Sequence, residues 1–267
     1  MSVTPDPIHT STFQTSDGLT LAYDVWQPNG NRKGVPVVLH HGFAATALTN
    51  WETPGIVQAL IADNREVIAL DARGHGRSDK PHEPAAYGHN RMSDDLSTPF
   101  DHLGHERVDL IGYSMGGYVA AITATRAEPR LRSVVVGGIG GKATTTASIN
   151  RDAIAEGLST DDPKTVTDRT ARQFRYFADM TGSDRLALAA IMRAPFHVIS
   201  GLDRIVVPTL VLVGQDDELA TNPEVLSNAI PGATLQITPG NHMSAVAEPA
   251  YAKGIVDFFA RIDKTSP

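Results

Sequence analysis

Apolar residues along this chain follow two rhythms that alternate. At the start, STFQT and LTLAYDVW interleave polar and apolar positions on either side of Ser16-Asp17-Gly18. A period of two broken by a turn triplet predicts a β-hairpin over residues 11–27. The next run, 35-VPVVLHHG-42, is almost continuously apolar, the pattern of a strand covered on both faces of a parallel sheet. Similar short runs occur at Glu66–Leu70, Val108–Ile111, Val134–Val136, 208-PTLVLVG-214 and 233-ATLQITP-239. Between them lie stretches with helical spacing: Gly55–Ala62, 91–103, Met115 to about Ala127, and Pro249–Ile262. Strands alternating with helices predict an α/β protein, its sheet mostly parallel and its helices on both faces. Residues 145–203 break the alternation. Ile154/Leu158 and Leu186, Leu188, Ile191 are spaced for helices, with no buried strand among them. The chain therefore divides into a core domain, 1–144 and 204–267, and a helical insertion, 145–203.

Composition narrows the class. The 267 residues are 41% hydrophobic and 20% charged, enough apolar material for one sizeable core. The net charge of -7 and the lack of a basic stripe argue against a nucleic-acid partner. No cysteine is present, so disulfides, thiolate metal sites and cysteine nucleophiles are excluded. The first residues, MSVTPDPIHTSTFQ, lack a signal-peptide pattern, and no apolar run is long enough to span a membrane. A cytoplasmic location is the default expectation.

The chemistry centres on 112-GYSMGG-117, where strand spacing gives way to helix spacing. A sharp strand-to-helix turn exposes the residue at its apex and strains its backbone. Gly112 and Gly116, two residues to either side of Ser114, remove the Cβ atoms that would crowd such a turn. The helix N-terminus that follows favours negative charge at this point. A strand–serine–helix turn inside a parallel α/β pattern is the context in which this spacing presents a nucleophile.

A serine nucleophile needs a base, an acid to orient the base, and oxyanion donors. Of the ten histidines, His9, His82, His89, His102 and His105 stand in polar surroundings typical of solvated positions, and His197 reads as packing. His242 follows a strand in the loop 240-GNHM-243, at the sheet edge where Ser114 sits. Its imidazole suits proton transfer near neutral pH. Asp216, Asp217 and Glu218 end another strand at the same edge, and one of them can hold the imidazole. The backbone N–H groups of Met115, after the nucleophile, and Phe43, after the strand 35–42, are the oxyanion donors expected.

Taken together, HG at 41–42, 71-DARGHGRSD-79, GYSMGG, GQDD at 214–217 and GNH at 240–242 resemble the α/β-hydrolase fold family over nearly the whole chain. In the family's G-x-x-D pattern the acid falls at Asp217, with Asp216 the fallback. The resemblance implies that Asp71, Arg73 and Ser78 are structural. It also implies that 145–203 is a helical cap, where Phe174, Tyr176, Phe177, Met180 and Met192 line a pocket or pack the cap onto the core. A serine at the elbow departs from the aspartate of epoxide hydrolases and haloalkane dehalogenases. The segment 137-GGIGGKA-143 lacks the residues of a phosphate loop, no lysine follows Ser114 in S-x-x-K spacing, and no histidine pair has metal-ligand spacing beside a carboxylate on one helix. The expectation is a cofactor-free, metal-free carboxylesterase acting on a small-molecule ester or lactone. The same triad would also serve a perhydrolase or cofactor-free haloperoxidase, a carbon–carbon bond hydrolase, or a ligand-binding sensor on a hydrolase fold. Carbon–carbon hydrolases usually add polar or cationic residues near the oxyanion pocket, and the sequence identifies none here.

Overall fold

A computed structural model describes residues 6–102, 104–145 and 149–265. The hairpin expected near the N-terminus forms from β1 (His9–Gln14) and β2 (Thr20–Trp26), paired antiparallel with Phe13 opposite Leu21. The continuous apolar runs become β3 (Val37–His40), β4 (Val67–Leu70), β5 (Val108–Tyr113), β6 (Leu131–Gly137), β7 (Thr209–Gly214) and β8 (Thr234–Thr238). The eight strands form one sheet in the order β1-β2-β4-β3-β5-β6-β7-β8. β3 to β8 pair parallel, and β2 joins β4 antiparallel.

Helices cover both faces, as the alternation predicts. Alternate strand residues feed two apolar layers. Val38, Leu110, Val134 and Val136 point towards α2 (His89–His102) and α3 (Met115–Thr125). Leu39, Ile111, Val135 and Leu212 point towards α1 (Ile56–Ala62) and α8 (Pro249–Thr265). The helix expected at 91–103 starts two residues earlier, and its last expected residue, Leu103, lies outside the described residues.

β6 is longer than its apolar run because Arg132 and Ser133 also belong to it. Both bond to Asp109 on β5, Arg132 through Nε at 3.0 Å and Ser133 through Oγ at 2.6 Å. A buried carboxylate that is ion-paired and hydrogen-bonded can replace apolar packing inside a sheet.

Between β6 and β7 the chain forms α4 (Arg151–Ser159), α5 (Arg169–Thr181) and α6 (Arg185–Arg193). Asn150, Asp168 and Asp184 cap their N-termini by accepting backbone N–H groups of the first turn. Ile154, Leu158 and Leu188 are fully buried among them, as the helical spacing requires. Residues 146–148 of the expected insertion lie outside the described residues. A short helix, α7 (Pro223–Asn228), follows β7.

The strand order reverses at β3. β4 lies on one side of it and β5 on the other. The crevice at the carboxyl ends of such a pair is where open α/β sheets bind ligands.

Candidate active site

Ser114 is the single residue between the end of β5 and the start of α3. Its backbone has φ 54° and ψ -113°, a conformation L residues rarely adopt and one that costs on the order of 1–3 kcal/mol. The flanking glycines are dictated by contact. A Cβ on Gly112 would lie 1.9 Å from the Gly116 carbonyl oxygen, and one on Gly116 would lie 2.0 Å from the His40 carbonyl oxygen. β3, β5 and α3 therefore meet backbone to backbone. The Ser114 N–H donates to the Gly137 carbonyl at 2.9 Å, and its hydroxyl faces the crevice.

His242 and Asp217 reach the same point from the loops after β8 and β7. His242 Nε2 lies 2.9 Å from Ser114 Oγ. His242 Nδ1 lies 2.9 and 2.8 Å from the two Asp217 carboxylate oxygens. A carboxylate only accepts, so Nδ1 carries the proton and Nε2 accepts the serine O–H. Asp217 Oδ1 also accepts the N–H groups of Leu219 at 2.9 Å and Ala220 at 3.0 Å. Its side chain is 0% exposed and that of His242 is 13% exposed. Asp216, one residue earlier, has an exposed side chain and is not part of the cluster. Tyr113, buried beneath, donates its hydroxyl to the His242 carbonyl at 2.6 Å and anchors the loop.

The loop after β3 is held as firmly. The Gly42 N–H donates to Asn50 Oδ1 at 2.8 Å, and the Ala44 N–H to His75 Nε2 at 3.1 Å. Because His75 Nε2 accepts, its Nδ1–H donates to the Arg73 carbonyl at 3.0 Å. His41 is set in the same way: Nε2 accepts the Ala72 N–H at 2.9 Å and Nδ1–H donates to the Gly42 carbonyl at 2.8 Å. Burial pushes the pKa of His75 well below the usual histidine value and lowers that of His41; His40 beside them is pushed down to about 3. All three are therefore neutral struts. They hold Gly42, just before Phe43, against Ser114, for a Cβ on Gly42 would lie 3.3 Å from the Ser114 Cβ.

The segment 71–79 is a scaffold. Asp71 accepts the Ala47 N–H at 2.9 Å and the Arg77 N–H at 3.1 Å. Arg73 bridges Asp95 on α2 and Asp17 in the hairpin turn. Ser78 donates to the Asp71 carbonyl and accepts the Ala22 N–H.

Ser114, Met115 and His242 line a cavity of about 100 Å³ whose other walls are mainly apolar, including Phe43, Met92, Ile139 and Phe174. Of the aromatic and methionine residues singled out in 145–203, Phe174 and Met192 line it and Phe177 packs on the core. Tyr176 and Met180 are 67% and 64% exposed instead, because they occupy the outer face of α5.

Two expectations about histidines fail. His89 is not in polar surroundings; its ring stacks on Tyr118 at 5.0 Å and meets Phe196 edge-on. Burial, then the charge of Arg151, brings its pKa down to about 3. His197 is exposed, not packed. The pocket also has cationic lining residues, Lys142 and Arg151, which are far from Ser114 in sequence and join the wall only through the fold. Asn50, His75 and Tyr113 were equally invisible, since their roles depend on which backbone groups the fold leaves beside them.

The geometry defines a class: a mostly parallel α/β sheet with a serine at the strained strand–helix corner and a histidine–aspartate pair at the same edge. The family model for the alpha/beta hydrolase fold matches residues 35–153. A non-heme chloroperoxidase of Streptomyces lividans is 37% identical over 120 residues, 44% of this chain and 40% of that protein. A non-heme haloperoxidase of Rhodococcus erythropolis is 26% identical over 260 residues, 84% of this chain and 89% of that protein. The solved enol-lactonase of Burkholderia xenovorans LB400 superposes with a TM-score of 0.70 at 25% identity, covering 94% of this chain and 100% of that one. The matches to the first curated relatives span only about two fifths of their lengths, 40%, 43% and 39%. The chain has the alpha/beta hydrolase fold. Among the described residues no helix is long and apolar enough to cross a membrane.

Proposed function

We propose that the protein is a serine hydrolase that cleaves a small carboxylic ester or lactone through an acyl-enzyme. The reading rests on one observation, the continuous chain from Ser114 Oγ through His242 to Asp217 at 2.9 and 2.8 Å. Ser114 Oγ attacks the carbonyl carbon as His242 Nε2 takes the hydroxyl proton. Asp217, fixed by two backbone N–H groups, stabilises the imidazolium. The Phe43 and Met115 N–H groups receive the oxyanion. Phe43 is supported in this role by its braced loop, Met115 by its place at the N-terminus of α3. The carbon–oxygen bond then breaks and His242 passes its proton to the leaving alkoxide. Water, deprotonated by His242, attacks the acyl group, and Ser114 recovers its proton as the acid departs. The helices of 145–203 act as a cap in this reading, since Arg151, Phe174, Ile191 and Met192 wall the cavity.

The chloroperoxidase and haloperoxidase relatives favour a second reading on the same residues. There hydrogen peroxide replaces water and the acyl-enzyme yields a peracid.

Steady-state hydrolysis of p-nitrophenyl esters of graded acyl length, with Ser114→Ala beside wild type, tests the proposal. Turnover that peaks at one length and disappears in the variant supports it. Negligible turnover at every length, or turnover that survives Ser114→Ala, overturns it. Peracid formation from a carboxylic acid and hydrogen peroxide, run in parallel, separates the two readings.

A further inference from the structure

Among the described residues no carboxylate lies within ion-pair distance of Arg151, which stands in the wall of the active-site cavity; the charge of Asp152 beside it in the chain offsets burial only in part. Arg151 is the first residue of α4, and its guanidinium lies over the Phe196 ring at 5.2 Å. Nη2 donates to the carbonyl oxygens of Ile191 at 2.8 Å and Ala194 at 3.2 Å. These contacts fix the plane of the group but bring no negative charge. Arginine has five N–H donors in a planar fork, and among the described residues Nε and Nη1 have no acceptor. Burial lowers the pKa of Arg151, the direction expected when a charge is taken out of water without full compensation.

The other deeply placed arginines are treated differently. Arg73 bridges two carboxylates, Arg132 pairs with Asp109 and Asp263, and Arg65 pairs with Asp63 and Asp263. In a chain of net charge -7, acidic side chains are available. Yet among the described residues no Asp or Glu lines the cavity that holds Ser114, whereas Lys142 and Arg151 both do. Lys142 Nζ donates to the Glu218 carbonyl at 3.3 Å.

The surroundings extend the same sign of charge. Gly88, His89, Arg151, Pro195 and Phe196 line both this cavity and an outer cleft of about 1220 Å³. Arg91, Arg126 and Arg204 line the cleft, and among the described residues no Asp or Glu does. Arg91 and Arg126 have carboxylate partners in Asp17 and Asp94 outside the lining; at the junction no described carboxylate lies within ion-pair distance of Arg151. A planar fork at the boundary of an apolar pocket suits a planar anion presented end-on.

We propose that Arg151 is a specificity-determining residue that receives a carboxylate borne by the substrate, so that the ester or lactone cleaved at Ser114 is anionic. The inference rests on the hydrolase reading above and names its substrate class. The substrate is bound by two anchors, its carbonyl at the oxyanion donors and its carboxylate at Arg151, with the apolar wall between them. Neutral esters of the same length lack the second anchor.

The test compares mono-p-nitrophenyl esters of glutaric, adipic and pimelic acid with p-nitrophenyl esters of the monoacids of equal length. Wild type, Arg151→Met and Arg151→Lys are assayed on both series, and thermal melts establish that each variant is folded. The expected result is a wild-type preference for one carboxylate-ended ester that falls by roughly 10- to 100-fold in kcat/KM in Arg151→Met, the range for a hydrogen-bonded charge pair. The loss should lie mainly in KM and exceed any loss on the neutral series by at least roughly tenfold, and Arg151→Lys should recover part of the preference. Equal losses on both series would make Arg151 a merely structural residue, and equal wild-type rates on both would remove the substrate class; either overturns the inference. Calorimetric binding of monomethyl adipate and methyl hexanoate to Ser114→Ala decides the matter without turnover. Arg151-dependent binding of the anionic ester alone supports the anchor even if the esterase reading fails, and absence of that difference overturns it even if esterase activity is found.

Discussion

Replacing Ser114 by glycine isolates the backbone strain held at the strand–helix corner. At φ 54° and ψ -113° any residue with a Cβ is strained, by roughly 1–3 kcal/mol. Glycine reaches that region freely, but its unfolded chain is more flexible, which costs about 0.5–1 kcal/mol relative to alanine. The appropriate reference is Ser114→Ala, because both variants lose the 2.9 Å bond to His242 Nε2 while only alanine keeps the Cβ. The difference between strain relieved and flexibility added is centred near ~1 kcal/mol in favour of glycine, within a range of about 0–2.5 kcal/mol. For a chain of this length that is a rise in Tm of about 2 °C, with about 4 °C the outer limit. Guanidinium midpoints and calorimetric Tm values of the two variants, measured at one pH, provide the assay. Equal m-values are required, so that the shift reports stability and not a change in the surface exposed on unfolding. Both variants should be inactive. A glycine variant clearly less stable than the alanine variant would refute the claim that strain is stored at the nucleophile.

Other outcomes follow from the same structure. Asp217→Asn removes the charge that fixes and stabilises the imidazole and should lower kcat by about 10³- to 10⁴-fold. Asp216→Asn, on an exposed side chain, should stay within a few-fold in the same ester assay. Gly116→Ala places a methyl 2.0 Å from the His40 carbonyl, and circular dichroism should find no cooperatively folded protein, because neither backbone can withdraw. His40, pushed down to about 3, and His75, pushed well below its usual value, stay neutral in the fold. Below about pH 6.5 the unfolded chain takes up protons that the folded chain refuses, so stability falls with pH in this window. His40 should contribute about 1.4 kcal/mol of loss by pH 5.5, and His75 a loss of the same sign; a Tm unchanged between pH 7 and 5.5 would contradict this. Tyr113→Phe removes the 2.6 Å bond to the His242 carbonyl and should cost about 1 kcal/mol of stability together with a drop in kcat, read by thermal melt and ester hydrolysis.

Much of the fold could be read before any coordinates, because its rules are local. Continuous apolar runs such as Val37–His40 mark strands buried on both faces, and glycines flanking Ser114 mark a corner where backbones touch. The order Ser114, Asp217, His242 along three strand ends placed the candidate triad at one sheet edge, since parallel strands bring their carboxyl ends together. Distances could not be read in this way, nor could environment. Arg132 and Ser133 disguised the start of β6, because their polar groups are satisfied by Asp109 from a different strand. His89 looked solvated among polar sequence neighbours but lies between Tyr118 and Phe196, which reach it from α3 and from the segment after α6. Periodicity and chain direction specify the strand and helix pattern, the corner serine and the side of the sheet on which chemistry can occur. Burial and charge pairing depend on residues distant in the chain, so it took the fold to reveal how Asp217 is buried against His242, which histidines are neutral struts, and that no described carboxylate lies within ion-pair distance of Arg151 at the cavity.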